Sequence, residues 1–354
     1  MKILYGVPGE GMGHATRSKV IIEHLLKEHD VQVVSSNRAY TFLRQAFPGR
    51  VHEIRGFHLA YNNAVVSKLK TTLTTLRNGP ENLRTNFLQY RQLHDQFRPN
   101  LVISDFESFS FFYARYHRLP IISIDNMQVL SRCRIEIELP DTEKANCSIA
   151  RSIVKAKVPG CDHYLITSFF DAPIIKENTT LVPPIMREQI IAAKPTTGKH
   201  VLVYQSSTSQ KNLVQILQQI PEITFHVYGF NRDEVAGNVR LMPFSEQGFL
   251  DDLASCLAVI SNGGFSLLSE AVYLHKPVCS IPIQGQFEQY LNAAYIEKEG
   301  YGRNFSTITP DAIKAFLYDV HRFSDELKKY KQNGNKQLFN NLEALIYKAT
   351  EHKL

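Results

Sequence analysis

The sequence predicts an α/β protein made of two doubly wound, Rossmann-like domains. Short apolar runs alternate with helical patterns, and this alternation loosens between residues 171 and 199 before it restarts. The chain has 354 residues, enough for about two domains that each bury a core. Strands that alternate with helices are typical of a parallel sheet covered by helices on both faces.

The first domain is predicted to span residues 1–170. Its buried strands are expected at apolar runs, at residues 3–7, 31–35, 101–104 and 121–124. Its helices are expected between those runs, at residues 16–29, 65–97 and 108–117. Open sheets of this kind bind ligands at the carboxyl ends of their strands, so polar residues directly after a strand are candidates for a site.

The second domain is predicted to span residues 200–335, after a proline-rich linker at 171–199. Its strands are expected at residues 201–204, 224–228, 258–261 and 278–281. Its helices are expected at residues 212–219, 246–255, 265–274 and 287–299. A C-terminal helix at 336–354 lies in a lysine-rich tail, from residue 324 onwards, that we expect to be helical and exposed to solvent.

Composition excludes several classes of protein. Apolar residues make up 44% and charged residues 21% of the chain, as in an ordinary globular protein, and the net charge of +6 suits an anionic ligand without requiring nucleic acid. The five cysteines are scattered, which indicates neither a disulfide framework nor a zinc site. We expect no signal peptide and no spanning helix, and therefore a cytoplasmic protein. A peripheral location on the inner membrane face is a second expectation.

A glycine-rich loop follows the first strand, and it contains Gly9, Glu10, Gly11, Met12 and Gly13, with His14 directly after it. A dinucleotide-binding fingerprint would have a third glycine where His14 stands. The second strand ends in serine and asparagine, where a nicotinamide-dinucleotide site needs an acid for the ribose. An NAD enzyme is therefore disfavoured, and the Walker A pattern is absent.

His14 and Asp105 are the candidate catalytic pair. A histidine at the start of a helix can act as a general base near neutral pH, and it needs a partner that orients its ring. Asp105 follows a buried strand directly, so it is expected at the same sheet edge. Two alternatives remain open: His14 as a capping or packing residue, and Asp105 as the N-cap of the helix that follows it.

The stretch from Ser261 to Ala293 predicts a site for a phosphorylated ligand. Gly263 and Gly264 precede a helix, where backbone amides and the helix dipole favour an anion. Glu270 lies one turn past Ser266 and can accept hydrogen bonds from sugar hydroxyls. The alternatives are an exposed Glu270 and a solvated face on the glutamine-rich helix that follows.

Together these motifs resemble nucleotide-sugar glycosyltransferases of the GT-B fold. The resemblance is greatest to family 28, which includes the peptidoglycan GlcNAc transferase, and looser to the UDP-glycosyltransferases of family 1. The chain is also similar to a bacterial and archaeal set known only as generic glycosyltransferases. The resemblance spans nearly the whole chain and implies two domains that face a central cleft.

The resemblance also implies site residues. The loop from Gly9 to His14 would lie on the acceptor side, with His14 as the base and Asp105 as its partner. The donor site would be formed by residues from four loops, namely Ser206, Ser207, Phe244, Ser245, Gly263, Gly264, Phe265, Ser266, Glu270, Gln286, Glu288, Gln289 and Asn292.

The activity implied is inverting, metal-independent transfer of a sugar from a UDP-sugar, or another nucleotide-sugar, to an acceptor hydroxyl. Asn262 stands where retaining enzymes of this fold carry an upstream glutamate, which favours inversion. No cofactor beyond the nucleotide-sugar, no metal and no nucleic acid are expected. The acceptor is left open between a glycan, a lipid-linked or cell-envelope glycan, and a small molecule.

The segment from residue 61 to residue 99 bears on membrane contact, because basic and apolar residues alternate along it. It is expected either to contact an anionic membrane or to pack as a core helix with a solvated basic face.

Two other functions share this fold or this donor site. A UDP-GlcNAc 2-epimerase would use carboxylates near the sugar, for which Glu10, Asp105 and Glu288 are candidates. A non-catalytic nucleotide-sugar-binding subunit would need a partner for activity. Both halves of the expected cleft, together with His14, are present in one chain, which favours the complete transferase.

Overall fold

The computed structural model describes residues 1–9, 11–55, 61–62, 65–66, 86, 90–91, 93–205 and 212–351. The chain forms two compact units. The first unit comprises residues 1–136, 141–187 and 334–354, and the second comprises residues 137–140 and 188–333. Each unit contains a seven-stranded sheet.

The strands of the first unit are β1 (Lys2–Gly6), β2 (Asp30–Ser35), β3 (Val51–Glu53), β4 (Tyr61–Asn62), β5 (Val65–Val66), β6 (Leu101–Ser104), β7 (Ile121–Asp125), β8 (His163–Thr167) and β9 (Thr179–Val182). The main sheet has the order β3-β2-β1-β6-β7-β8-β9, and all its neighbours pair in parallel. Strands β4 and β5 pair with each other, antiparallel.

The strands of the second unit are β10 (His200–Tyr204), β11 (Thr224–Tyr228), β12 (Glu234–Ala236), β13 (Val239–Leu241), β14 (Ala258–Ser261), β15 (Val278–Ser280) and β16 (Gly302–Asn304). Their order is β12-β13-β11-β10-β14-β15-β16. All neighbours are parallel except β12 and β13, which form an antiparallel edge.

The described α-helices, in chain order, are α1 (Met12–Leu25), α2 (Asn37–Ala46), α3 (Ser108–His117), α4 (Val129–Arg132), α5 (Asp141–Lys157), α6 (Glu188–Ala192), α7 (Leu213–Gln218), α8 (Glu246–Ser255), α9 (Phe265–Tyr273), α10 (Phe287–Lys298), α11 (Pro310–Tyr318), α12 (Val320–Leu327) and α13 (Lys336–Thr350). A π-helical turn covers Leu93–Phe97. Within the described ranges, no helix combines the length and the apolar character needed to cross a membrane.

Every predicted strand is confirmed to within a residue or two, because each is a short apolar run that the sheet buries. Helix α1 begins at Met12, four residues before the predicted start, so Gly13 and His14 lie in its first turn. The predicted helix at 65–97 falls mostly outside the described residues, and β5 occupies its expected beginning. The stretch at 171–199 holds strand β9 and helix α6.

The prediction that the C-terminal tail is solvent-exposed was wrong. Leu338, Leu342 and Leu345 of α13 are buried in the core of the first unit, together with residues of β1 and β2. Lys336 and Lys348 of this helix are exposed, and burial of its apolar face stabilises the helix against the sheet. The chain therefore returns to the first unit after completing the second.

Each sheet has one topological switch point. In the first unit, β1 has β2 on one side and β6 on the other, and Gly6 and Ser104 are register partners at the carboxyl ends of β1 and β6. In the second unit, β10 lies between β11 and β14, and Tyr204 and Ser261 are the corresponding partners. Since strand order reverses there, the loops after these strands diverge and leave room for a ligand.

Truncation of Leu342 tests the packing of the C-terminal helix. Its side chain has no exposed surface, so Leu342→Ala is expected to lower the free energy of unfolding by about 2–5 kcal/mol, measured by urea unfolding. Tyr347→Ala in the same helix is the control, because Tyr347 is 62% exposed and its loss is expected to cost less than about 0.5 kcal/mol. Equal small effects of the two substitutions would contradict this packing.

The stability of the first unit is expected to depend on pH through His163. Burial, together with the positive charges of Lys348 and Arg132, lowers the pKa of His163 to about 4. As pH falls below the ordinary value of 6.5, His163 takes up a proton in the unfolded chain but not in the folded chain. The free energy of unfolding is therefore highest above that pH and decreases as pH falls towards about 4.

His163→Gln removes this titration and retains a group that can bond to Thr180 Oγ1, which lies 2.9 Å from His163 Nε2. Between about pH 7 and about pH 5, the variant is expected to lose less free energy of unfolding than the wild type. Urea unfolding at each pH measures the difference. Parallel pH curves for the two proteins would contradict it.

Candidate active site

His14 and Asp105 meet at the switch point of the first unit. Asp105 directly follows β6, and its backbone N–H donates to Gly6 O at the end of β1 across 2.9 Å. His14 lies in the first turn of α1, and its Nδ1 is 3.0 Å from Asp105 Oδ1. The carboxylate is buried, whereas the imidazole is 24% exposed. One partner is thus fixed inside the protein and the other can reach a ligand.

Arg17 and Ser18 were not among the residues predicted from the sequence, and both bind Asp105. Arg17 Nε donates to Oδ2 across 2.9 Å, and Ser18 Oγ donates to the same oxygen across 2.9 Å. Arg17 Nη2 contacts Oδ1 and also lies 2.8 Å from His14 Nδ1. Spacing could have indicated Arg17, because residues three apart share one face of a helix.

Charge around Asp105 keeps it ionised. Burial alone would raise the pKa of Asp105, but the Arg17 guanidinium and His14 outweigh burial and hold that pKa far below its usual range. Arg17 is itself almost fully buried, and its Nη1 donates to Asn126 Oδ1 across 2.8 Å, directly after β7. The ion pair therefore links three neighbouring strand ends.

Neither residue of the pair has a capping role. The N-cap of α3 is Glu107, whose two carboxylate oxygens accept from Phe109 N and Ser110 N, each across 2.7 Å. Burial raises the pKa of Glu107, and these amide contacts oppose that rise. Asp105 is thus not the cap, and His14 lies inside α1 and not at its cap position, which Gly11 occupies.

The glycine loop owes its shape to one close contact and one backbone conformation. Gly9 packs on Ser36, because a Cβ at Gly9 would lie 2.2 Å from Ser36 Oγ. Gly11 has a φ of +82°, a conformation that favours glycine, and it opens α1. Met12 and Gly13 belong to the first helical turn, whereas Glu10 lies outside the described residues.

The glycine pair of the second unit has unequal roles. Gly263 follows β14 with a φ of +84°, and a Cβ there would lie 2.6 Å from Gln289 O. Asn292 Nδ2 donates to Gly263 O across 3.0 Å, and Asn292 is buried. Gly264 precedes α9 with a negative φ, is exposed, and has open space where its Cβ would stand. A ligand can therefore approach the helix N-terminus at Gly264.

Helix α9 presents two polar side chains near that N-terminus. Ser266 is half-buried in its first turn, and Glu270 follows four residues later. Glu270 is 7% exposed, which contradicts the alternative of a solvated glutamate. Phe265, the first residue of α9, is buried and anchors the helix.

The other predicted donor residues lie at the end of the loop after β15 and in the first two turns of α10. Gln286 is exposed, whereas Glu288 and Gln289 are half-buried. Gln289 Oε1 accepts from Ile283 N across 3.0 Å, so its carbonyl holds this loop. Asn292 holds the Gly263 loop, as described above, and α10 is therefore not a fully solvated face.

Phe244 and Ser245 occupy the loop before α8. Ser245 is the N-cap of that helix and accepts from Gly248 N across 3.0 Å. Phe244 is 84% exposed, although its backbone N–H is held by Asn231 Oδ1 across 2.8 Å. An aromatic ring so exposed on a fixed backbone is suited to contact a flat ligand group. Ser206 and Ser207, predicted after β10, lie outside the described residues.

Within the part of the chain that the structure describes, one group of side chains has the composition of a metal site: His200, His226 and Asp252. Asp252 Oδ2 lies 2.9 Å from His226 Nδ1 and accepts from Tyr228 OH across 2.6 Å. The two imidazole rings stack with centroids 4.3 Å apart. Stacked rings direct their lone pairs along nearly parallel planes, so the group fits hydrogen bonding to Asp252 better than shared coordination of an ion. His200 begins β10, away from the carboxyl edge.

Two doubly wound units, each with polar residues gathered at its switch point, are the architecture of GT-B glycosyltransferases. The profile of the family described as "Glycosyl transferase family 1" matches residues 1–321, and the chain belongs to this family. The predicted resemblance and the predicted fold class are thereby confirmed, and the protein is a glycosyltransferase.

Individual relatives agree with this assignment. A Methanosarcina mazei protein named uncharacterized glycosyltransferase is 26% identical over 376 residues, covering 93% of each chain. A Bacillus cereus protein, named UDP-N-acetylglucosamine–N-acetylmuramyl-(pentapeptide) pyrophosphoryl-undecaprenol N-acetylglucosamine transferase 3, is 23% identical over 188 residues, covering 46% of this chain and 52% of its own. The solved structure of Phytolacca americana UGT2, complexed with UDP-2fluoro-glucose and pterostilbene, has a TM-score of 0.68 at 14% identity, with 97% of this chain and 98% of that chain covered.

Alanine at the two glycines of the second unit should separate their roles. Gly263→Ala combines an unfavourable φ with a contact to backbone, so it is expected to lower the free energy of unfolding by about 1–3 kcal/mol. Gly264→Ala is the matched control, and its cost is expected to stay below about 0.5 kcal/mol. Thermal unfolding of the ligand-free variants measures both. Equal destabilisation by the two substitutions would contradict the geometry.

Proposed function

We propose that this glycosyltransferase transfers a sugar from a UDP-sugar to an acceptor hydroxyl with inversion of the anomeric centre. The observation that carries the proposal is the contact of His14 Nδ1 with the buried carboxylate of Asp105 at the switch point of the first unit. His14 Nε2 takes the proton of the acceptor hydroxyl, whose oxygen forms a bond to the anomeric carbon as the bond to the diphosphate breaks. Asp105 orients the imidazole during this step.

The second unit binds the donor. The N-terminus of α9 receives the diphosphate, because Gly264 leaves its approach open and the amides there favour negative charge. Glu270 accepts the ribose hydroxyls, and the half-buried Glu288 and Gln289 contact the sugar. The ring of Phe244 covers the base. Stabilisation of the leaving diphosphate by helix amides, without an obligatory metal, completes the proposal.

Inversion is supported by Asn262. It precedes the glycine pair, is buried, and donates from Nδ2 to Ile281 O across 3.1 Å. An amide in that position holds the adjacent strand and brings no carboxylate to the sugar. Direct displacement by the acceptor oxygen is then the simpler route, because it needs a single base and no covalent intermediate.

A lipid-linked hydroxyl is the acceptor class that we favour. The partial relative from Bacillus cereus is named for an acceptor on pyrophosphoryl-undecaprenol, and it supports this choice over a soluble small molecule. Asp105 is one of three carboxylates that a UDP-GlcNAc 2-epimerase would use, and its surroundings favour the transferase. Asp105 is fully buried and already accepts from Arg17 and Ser18, so it is poorly suited to exchange protons with a sugar.

Substitution of Glu270 and His14 should separate donor binding from chemistry. Wild-type protein is expected to gain thermal stability in UDP-glucose or UDP-N-acetylglucosamine, by about 2.7 kcal/mol at 100 times the dissociation constant. Glu270→Gln is expected to lose most of this gain, because the neutral amide accepts sugar hydroxyls less strongly. His14→Gln is expected to keep it, while its rate of UDP release with a bacterial lipid extract falls by about 100-fold or more.

Three results would contradict the proposal. Unchanged UDP binding by Glu270→Gln would remove that residue from the donor site. Normal turnover by His14→Gln would require another base. A product that retains the donor's anomeric configuration, read by NMR, would exclude direct displacement.

A further inference from the structure

We propose that Arg17 keeps His14 neutral, and hence able to accept a proton, by supplying the positive charge that the buried Asp105 requires. The inference rests on the proposed role of His14 as the base and extends it to a positioning residue. A carboxylate that orients a histidine also attracts a proton onto it, and a protonated imidazole cannot act as a base. In the first unit, the guanidinium of Arg17 contacts both Asp105 and His14.

The hydrogen bonds of Asp105 account for its whole accepting capacity. An ionised carboxylate has about four lone-pair positions, two on each oxygen. Oδ2 accepts from Arg17 Nε and Ser18 Oγ, each across 2.9 Å. Oδ1 accepts from Arg17 Nη2 and faces His14 Nδ1 at 3.0 Å. Arg17 and Ser18 therefore leave a single position, and it points at the imidazole.

Charge balance determines the protonation state of His14. Asp105 has no exposed surface and Arg17 is 8% exposed, so water screens neither of them well. With Arg17 present, the pair is already neutral, and an imidazolium would be a second cation 2.8 Å from the guanidinium. Without Arg17, Asp105 would be a buried, unpaired anion, and a proton on His14 would be the nearest compensation.

Two other titratable groups, Asp125 and Tyr5, face this cluster. Asp125, at the end of β7, accepts from Ser123 Oγ across 2.8 Å and from Gln128 N across 2.9 Å. Burial raises the pKa of Asp125, which disfavours a second negative charge beside Asp105, and the two hydrogen bonds oppose that rise. Burial also raises the pKa of Tyr5, which faces Asp105 and Arg17 and stays neutral.

The position of the proton follows from the contact between His14 Nδ1 and Asp105 Oδ1. An ionised carboxylate only accepts hydrogen bonds, so Nδ1, which lies 3.0 Å from Oδ1, is the donor. Nδ1 is then the protonated nitrogen and donates to Oδ1. Nε2 keeps its lone pair, and it is the atom that takes the acceptor's proton.

Nitrogen NMR of the full-length protein, with 15N-labelled histidine and no ligand, tests this inference at about pH 7.5. His14→Gln identifies the His14 signals by their loss. In the wild type, Nδ1 is expected to give the signal of a protonated nitrogen and Nε2 that of an unprotonated one. In Arg17→Gln, both nitrogens are expected to be protonated, and in Arg17→Lys, which keeps the charge, the ring is expected to stay neutral.

Arg50→Gln is the matched control, because it removes the same charge from a surface pair with Asp30 and should leave the His14 signals unchanged. If Arg17→Gln fails to fold, Asp105→Asn serves instead, and His14 Nδ1 is then expected to lose its proton and accept from Arg17. An imidazolium in the wild type, a proton on Nε2 alone, or a neutral ring in Arg17→Gln would overturn the inference. Since no sugar is used, these results are independent of whether His14 proves to be the catalytic base.

Discussion

The buried carboxylate of Asp105 is the constraint on which the first unit's site depends. A charge without exposed surface is tolerated only when it is paired and fully hydrogen-bonded, and here Arg17, Ser18 and His14 supply those bonds. Arg17 also binds Asn126, so one ion pair joins the loops after β1, β6 and β7. The position of His14 is therefore set by the requirement to satisfy a neighbour's charge.

The second unit meets a related constraint through its backbone. Gly263 has a positive φ that favours glycine, and Asn292 of α10 donates a hydrogen bond to its carbonyl oxygen. This arrangement brings the N-terminus of α9 to the carboxyl edge of β14 and leaves Gly264 uncovered. A tight contact on one side of the loop thus produces an open approach on the other.

Apolar runs predicted the strands because a parallel sheet covered on both faces requires continuous apolar residues. Strand ends then located His14, Asp105 and the glycine pair at their sheet edges. Arg17 escaped prediction because an arginine on a helix ordinarily faces solvent, and only its tertiary contact with Asp105 overrides that preference. The prediction for the tail was wrong for the same reason. Its lysines suggested exposure, whereas the leucines of α13 pack in a core with residues of β1 and β2, which lie far away along the chain.

The two halves of the proposed chemistry differ in how they are assembled. Every residue that holds the His14–Asp105 pair belongs to the first unit, and each of those bonds is made between protein groups. The pair is therefore complete before any sugar binds, and its geometry does not have to be induced. On the proposed donor side, Phe244, Gly264 and Gln286 instead expose surface to which a ligand can bind. The two sides differ because proton transfer requires one accurately placed group, whereas recognition of a nucleotide spreads over many contacts.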